Sequence, residues 1–207
     1  MVDPDALAFV LSSLLPAPAR VLEVGAGDGE LAVAVAGAGY DVIAIDPAST
    51  VEHVRPTPLL ELREPDGTFD VAVAVVSLHH VEPLAESCRR LAALVRPGGV
   101  LVLDEIDTER FDARAAGWWL EHHGPGEHVP RTREEIVGFL RHHIHDLASL
   151  RGALEPWFEL GQPTRGPYLY RWDLPPALRA DEESLISAGE LPAVGVRIVG
   201  TRRPGPA

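Results

Sequence analysis

The chain has 207 residues, is 46% hydrophobic, and carries 18 basic against 31 acidic side chains for a net charge of −13. That length fills the core of one α/β domain with an appendage and leaves no room for two independent domains. A surface this acidic repels phosphate backbones and argues against a nucleic-acid partner. The one cysteine, Cys88, can form no intrachain disulfide and fits a reduced, cytoplasmic setting. The acidic, proline-bearing start predicts no signal peptide, and no apolar run approaches the length of a membrane span.

Asp3-Pro4 reads as a helix start, a cap followed by proline at the first helical position, and Leu7, Val10, Leu11 and Leu14 then share one face until Pro16. This helix is expected to cover the ligand pocket. Val21, Leu22 and Val24 form a short strand, after which Gly25, Gly27 and Gly29 let the backbone turn tightly and approach a ligand. Leu31, Val33, Ala34 and Val35 open the returning helix, and Asp41–Asp46 is a second strand. In a doubly wound sheet its terminal Asp46, about 20 residues beyond the turn, is placed to accept hydrogen bonds from ribose hydroxyls. The dinucleotide fingerprint G-x-G-x-x-G counted from Gly25 needs glycine at position 30, where this chain has Glu30. Glu23, Asp28 and Glu30 surround the loop with negative charge, which suits a cation-bearing nucleoside better than a diphosphate.

Residues 47–57 leave only an abbreviated crossover before a third strand near Pro58–Leu62. Val71–Val76 is a continuous apolar run suited to a buried central strand, and Leu84–Leu94 is a helix closed by Arg96-Pro97-Gly98-Gly99. Val100–Leu103 then delivers Asp104 and Glu105 to the carboxyl edge of the sheet, where ligands bind. The pattern Glu23-x-Gly25-x-Gly27-x-Gly29 resembles motif I of the class I S-adenosylmethionine-dependent methyltransferases. The similarity continues, in order and spacing, through Ile45-Asp46-Pro47-Ala48, Pro65–His80 and Leu91–Asp104, and covers roughly half the chain.

The resemblance implies a Rossmann-like, mostly parallel seven-stranded sheet of α/β class with its last strand antiparallel, and a helical lid inserted after strand five. It implies S-adenosylmethionine as cofactor, S-adenosylhomocysteine as product, and Glu23, Gly25, Ala26, Gly27, Asp46, Pro47, Leu60 and Ser77 as cofactor-binding residues. One position departs from the pattern. The acidic residue that meets the adenine amine in many members of that family falls here on Pro58, so an apolar clamp from Leu59, Leu60 and Pro47 replaces it in this reading.

After Glu105 the simple alternation stops. Residues 106–165 read as the lid or substrate insertion: a helix bearing Trp118 and Trp119, a Gly-Pro-Gly turn at 124–126, a helix over Arg131–His143 and another over Asp146–Leu154. Strand six is expected near Trp157 or Phe158. Gly166–Trp172 fits a strand or a helix equally, Asp181–Ala188 reads as a short helix, and Val194–Val199 as the final strand. The whole chain is thus a single domain, with residues 1–105 as cofactor-binding core, 106–165 as insertion and 166–207 as closing strands.

The implied chemistry is in-line methyl transfer, which depends first on positioning and second on a base. His79, His80 and Glu105 are the candidates for catalysis, each with a structural alternative: loop hydrogen bonding, packing under a helix, or capping. Trp118, Trp119 and Tyr168 are the candidate substrate wall, against the plainer reading of amphipathic core. The histidine clusters His122, His123, His128 and His142, His143, His145 lack metal-ligand spacing, so no metal is expected. The leading function is methyl transfer to O, N or C of a small-molecule acceptor. The alternatives are a non-methylating enzyme that binds S-adenosylmethionine for cyclisation or decarboxylation, and a non-catalytic cofactor-binding module. Neither the acceptor nor the oligomeric state is encoded in a recognisable motif.

Overall fold

Asp3 caps the first helix as its sequence predicts: Oδ1 accepts the backbone N–H groups of Asp5 at 3.0 Å and Ala6 at 2.8 Å, and α1 runs Pro4–Ser13. The computed structural model describes residues 3–123 and 132–204. They fall into two compact units. One contains the chain through Glu105, Ser149–Pro163 and the segment from Arg197 onward; the other contains Ile106–Ala148 and Thr164–Val196.

In the first unit the chain alternates β1 Arg20–Val24, α2 Glu30–Gly37, β2 Asp41–Ile45, β3 Val54–Arg55, β4 Phe69–Val75, α3 Leu84–Leu94 and β5 Val95–Ile106. After the second unit's first segment, α4 Ala113–His123 and α5 Arg133–His143, come α6 Leu147–Leu154 and β6 Phe158–Leu160. The chain ends with β7 Thr164–Gly166, α7 Arg179–Ser187 and β8 Gly195–Arg202. The sheet order is β3-β2-β1-β4-β5-β8-β6, seven strands, with β7 pairing to β8 off that path. β1 to β5 pair in parallel and β6 runs antiparallel to β8. This is the doubly wound α/β sheet the sequence implies. The order reverses between β1 and β4, which places a topological switch point, and hence a crevice, at the carboxyl ends of those two strands.

The core beneath that edge joins Val10, Val21, Leu31, Val35, Val71, Val73 and Val102, all nearly inaccessible to solvent. Val10 belongs to α1, so α1 packs into this cluster alongside α2 residues and does not cover the pocket as its sequence suggests.

Other departures have local causes. β3 is not at Pro58–Leu62 but at Val54–Arg55, because Pro56 and Pro58 have no N–H to extend a ladder; Leu59–Glu61 forms a 3-10 turn in its place. β5 begins at Val95, with Phe69 opposite Val95 and Val71 opposite Val100, so Arg96–Gly99 loops out of register before the strand resumes.

The second unit begins at Ile106; residues 149–163 group with the first unit and 164–196 with the second. Its α5 starts at a capping box, Thr132 Oγ1 accepting from Glu135 N–H at 3.1 Å while Glu135 Oε2 accepts from Thr132 N–H at 3.2 Å. The ambiguous segment 166–172 becomes the end of β7 and a 3-10 turn, Leu169–Arg171. Glu182 on α7, fully buried, fixes that turn by accepting the N–H groups of Tyr168, Leu169 and Tyr170 at 2.7, 2.9 and 2.9 Å. Burial raises the Glu182 pKa, against those three hydrogen bonds. The expected turn at 124–126 lies outside the described residues. Among the described residues no helix is long and apolar enough to cross a membrane.

Candidate functional site

At the carboxyl edge of β1, β2 and β4 lies a cavity of ≈ 680 Å³, within the range that holds a cofactor-sized ligand. Its floor is made where two strand ends meet. Gly25, with φ of +71°, leaves β1 so closely under β4 that a Cβ there would lie 2.3 Å from Ser77 Cβ. Ser77 Oγ donates to Val24 O at 2.6 Å, and the N–H groups of Gly25 and Ala26 both donate to Ile45 O, at 2.8 and 3.0 Å. Any side chain at position 25 would therefore separate β1 from β4. Gly27 is different in kind: its φ is +55°, nothing lies within 4 Å of where a Cβ would stand, and it is exposed and not among the residues that line the cavity.

Asp46 terminates β2 at the same edge. Its Oδ2 accepts from Gly27 N–H at 3.0 Å and its Oδ1 from Ala48 N–H at 2.8 Å, which fixes the carboxylate and ties the glycine loop to β2. A carboxylate offers about four acceptor directions, so one remains on each oxygen for two adjacent hydroxyls. Pro47, Pro58, Leu59 and Leu60 add an apolar wall, Leu60 standing 41% exposed. The charged side chains of the lining are Asp46, Glu61 and Glu82, and none of the described lining residues is an arginine.

Gly25, Asp46, Pro47, Leu60, Ser77 and His80 line the cavity among the residues singled out in the sequence. Glu23 does not. Strand alternation turns it, with Val21, to the opposite face of β1, into a small void beneath α2 lined by Leu31, Val35, Val42 and Val73. There its Oε2 has no partner among the described residues, and burial, reinforced by the charge of Asp28 and opposed by a hydrogen bond from Ala32 N–H, pushes its pKa up to about 8. Glu23 is thus a buried carboxyl whose charged form is disfavoured, away from the ligand space. Ala26 is likewise drawn into a core cluster with Ala32, Ala44 and Val54.

The candidate catalytic trio is split. Glu105, 1% exposed, accepts from Ser77 N–H at 3.2 Å and Leu78 N–H at 2.7 Å with Oε1, and pairs through Oε2 with His79 Nδ1. Glu105 follows Asp104, which stands opposite Val75, and so reaches the turn that follows β4. His79 is 3% exposed, and neither it nor Glu105 lines the cavity. They hold a strained turn, since Val76 has a φ of +54°, a region β-branched residues rarely adopt. His80, exposed and with its ring centroid 4.2 Å from that of His79, is the member of the trio on the cavity.

Trp118, Trp119 and Tyr168 belong to the second unit and are 8%, 3% and 6% exposed; none lines this cavity. Trp119 stacks at 4.7 Å on Trp172 and donates Nε1–H to Trp172 O at 2.9 Å, with Phe111 edge-on to Trp172 at 6.1 Å. They form the core of that unit. His122, His142 and His143 turn Nδ1 onto the carbonyls of Trp118, Gly138 and Phe139, and among the described residues no group of three potential ligands could hold a metal. His128 lies outside the described residues. Thr57, Glu61, Val76 and Ser87 line the cavity without a signal in any motif. Only Ser87 left a trace, a polar residue on the buried stripe of α3 that also carries Cys88 and Leu91.

Comparison with known proteins decides the family. The family model described as "Methyltransferase domain" matches residues 4–148. The chain belongs to this methyltransferase family. It is 33% identical over 121 residues to a ubiquinone biosynthesis O-methyltransferase of Xanthomonas axonopodis pv. citri (strain 306), covering 51% of each chain. It is 39% identical over 123 residues to a ribosomal protein L11 methyltransferase of Bordetella parapertussis, covering 53% of this chain and 39% of that protein. The chain thus spans about half the length, or less, of these curated relatives. An S-adenosylmethionine-dependent methyltransferase structure from Mesorhizobium loti superposes with a TM-score of 0.61 at 17% identity, covering 95% of this chain and 98% of that one. That likeness establishes a shared methyltransferase fold.

Proposed function

We propose that this chain is an S-adenosylmethionine-dependent methyltransferase acting on O, N or C of a small-molecule acceptor. The observation that carries the reading is the charge of the cavity: Asp46, Glu61 and Glu82 with no arginine form a poor setting for a diphosphate and a good one for a cation. The open space at Gly27 and the two remaining acceptor directions on Asp46 fit a ribose-bearing ligand at the edge of β2. When bound, S-adenosylmethionine supplies an activated methyl group on a sulfonium.

The chain's own residues orient, exclude water and handle the proton. Gly25 and Ser77 hold the ends of β1 and β4 together, which preorganises the cavity floor. Glu105 and His79 are positioning residues, fixing the turn that presents His80. His80 takes the proton on a ring nitrogen when the acceptor is a hydroxyl. The cavity draws its lining wholly from the first unit. The acidic net charge of −13 supports a small molecule over a nucleic acid. Incubation with methyl-labelled cofactor and a panel of hydroxy- and amino-bearing acceptors is the test. Formation of S-adenosylhomocysteine in proportion to labelled product is expected, and substrate turnover without it contradicts methyl transfer.

A further inference from the structure

Serine hydroxyls on helices are ordinarily satisfied by a carbonyl three or four residues earlier. In this chain Ser12 and Ser13 both turn onto Phe9 O, at 2.9 and 2.8 Å, and Ser187 onto Glu183 O at 2.8 Å. Ser87 on α3 does not. Its backbone N–H donates to Pro83 O at 3.1 Å, but its Oγ, in a residue only 1% exposed, has no partner among the described residues, and Ser87 lines the cavity. A buried hydroxyl left unpaired costs free energy that an alanine would avoid, and alanine is the better helix former. On a cavity wall, that unspent hydroxyl is available to a ligand that arrives there.

What arrives follows from where Ser87 stands. α3 packs on the 3-10 turn Leu59–Glu61, and Arg90 locks the two together by donating to Leu62 O at 2.8 Å and Glu64 O at 2.7 Å. This end of the cavity is preformed. The sheet order β3-β2-β1 puts the residues following β3 beyond Asp46, on the side away from Gly25 and Ser77. A ligand whose ribose meets Asp46 then sends its heterocycle to this end, between the apolar Pro58, Leu59 and Leu60 and the α3 wall.

We infer that Ser87 is a specificity-determining residue whose hydroxyl hydrogen-bonds the polar edge of the cofactor's heterocyclic base, supplied by the helix after β4 where the loop after β3 offers Pro58. The inference rests on the cofactor reading above. A serine hydroxyl both donates and accepts, so it can meet either an exocyclic amine or a ring nitrogen.

The test is Ser87→Ala, read by thermal unfolding without ligand and by calorimetric titration with S-adenosylhomocysteine and with 5′-methylthioadenosine, which keeps base and ribose but lacks the amino-acid tail. The expected result is an unliganded melting temperature equal to or above wild type. Affinity falls about three- to tenfold, as for one lost hydrogen bond, by the same factor for both ligands. In the double variant with Asp46→Ala the losses add, since base and ribose contacts are separate. Unchanged affinity, or a lowered melting temperature with unchanged affinity, makes Ser87 a structural serine and overturns the inference. A loss confined to S-adenosylhomocysteine moves the hydroxyl to the amino-acid end, and non-additive losses move it to the ribose; either overturns the base assignment. Wild type that fails to bind S-adenosylhomocysteine instead sinks the cofactor reading itself, a result distinct from all of these.

Discussion

The carboxyl edge of β1, β2 and β4 and the aromatic cluster of the second unit were equally suggestive as sequence, and they are built in opposite ways. At the sheet edge Gly27 faces open space, Asp46 keeps acceptor directions free, and Ser87 holds a hydroxyl with no partner among the described residues. In the second unit Trp119 spends its only donor on Trp172 O, Glu182 closes three backbone amides, and both are buried. The sheet edge retains hydrogen-bonding capacity beside open space, whereas the Trp119 and Glu182 contacts of the second unit are spent on backbone partners. The comparison teaches that aromatic residues mark function only when some part of them is left unsatisfied or exposed.

The comparison breaks if the aromatic cluster turns out to be dispensable. Trp119→Ala should cost about 3–5 kcal/mol of stability in denaturant titrations, as for a buried tryptophan emptied from a core. A variant as stable as wild type and altered only in acceptor turnover would return Trp119 to the substrate wall. Glu105→Ala should cost about 2–4 kcal/mol, because the buried N–H groups of Ser77 and Leu78 and the ring of His79 lose their common acceptor. If Glu105 acted on substrate instead, melting would be unchanged while turnover collapsed.

Asp46→Ala belongs to the other side of the comparison. It should weaken S-adenosylhomocysteine by about 2 kcal/mol, roughly thirtyfold, with little change in unfolding, since its backbone partners are solvent-accessible. The effect of Glu23 is small per pH unit and is spread over several. Its folded pKa of about 8 lies above the ordinary 4.5, so its contribution to stability is complete below about pH 4.5 and is lost as pH rises toward 8. Urea titrations between pH 5 and 8 should show stability falling by up to about 1.4 kcal/mol per pH unit, and Glu23→Gln should flatten that slope. Glu182, shifted in the same direction, contributes slope of the same sign that Glu23→Gln leaves intact. An unchanged slope in Glu23→Gln would place the carboxyl in contact with solvent or ligand.

The local punctuation of the chain was legible. Asp3-Pro4 starts α1, the helix Leu84–Leu94 has the bounds its apolar spacing gives, and the doubly wound order follows from the alternation of runs and glycine turns. β3 was misplaced because apolar Leu59 and Leu60 outweighed the prolines that forbid a ladder there. Glu23 could have been turned away from the ligand by strand parity alone, since it shares a face with Val21. What no local pattern encodes is long-range satisfaction. Glu105 serves amides 27 and 28 residues earlier, and Glu182 serves amides 12 to 14 residues earlier, so their structural work is invisible until the chain is folded. Ser87 has the same limitation in reverse: nothing in a sequence says that a hydroxyl will find no partner.

In the proposed function the acidic cavity at the switch point holds a sulfonium nucleoside through Asp46. Calorimetric titration of wild type and Asp46→Ala with S-adenosylhomocysteine and with NAD tests it most directly. Stoichiometric binding of S-adenosylhomocysteine, roughly thirtyfold weaker in Asp46→Ala, and no measurable heat with NAD are expected. Binding of NAD, or S-adenosylhomocysteine affinity indifferent to Asp46, would contradict it.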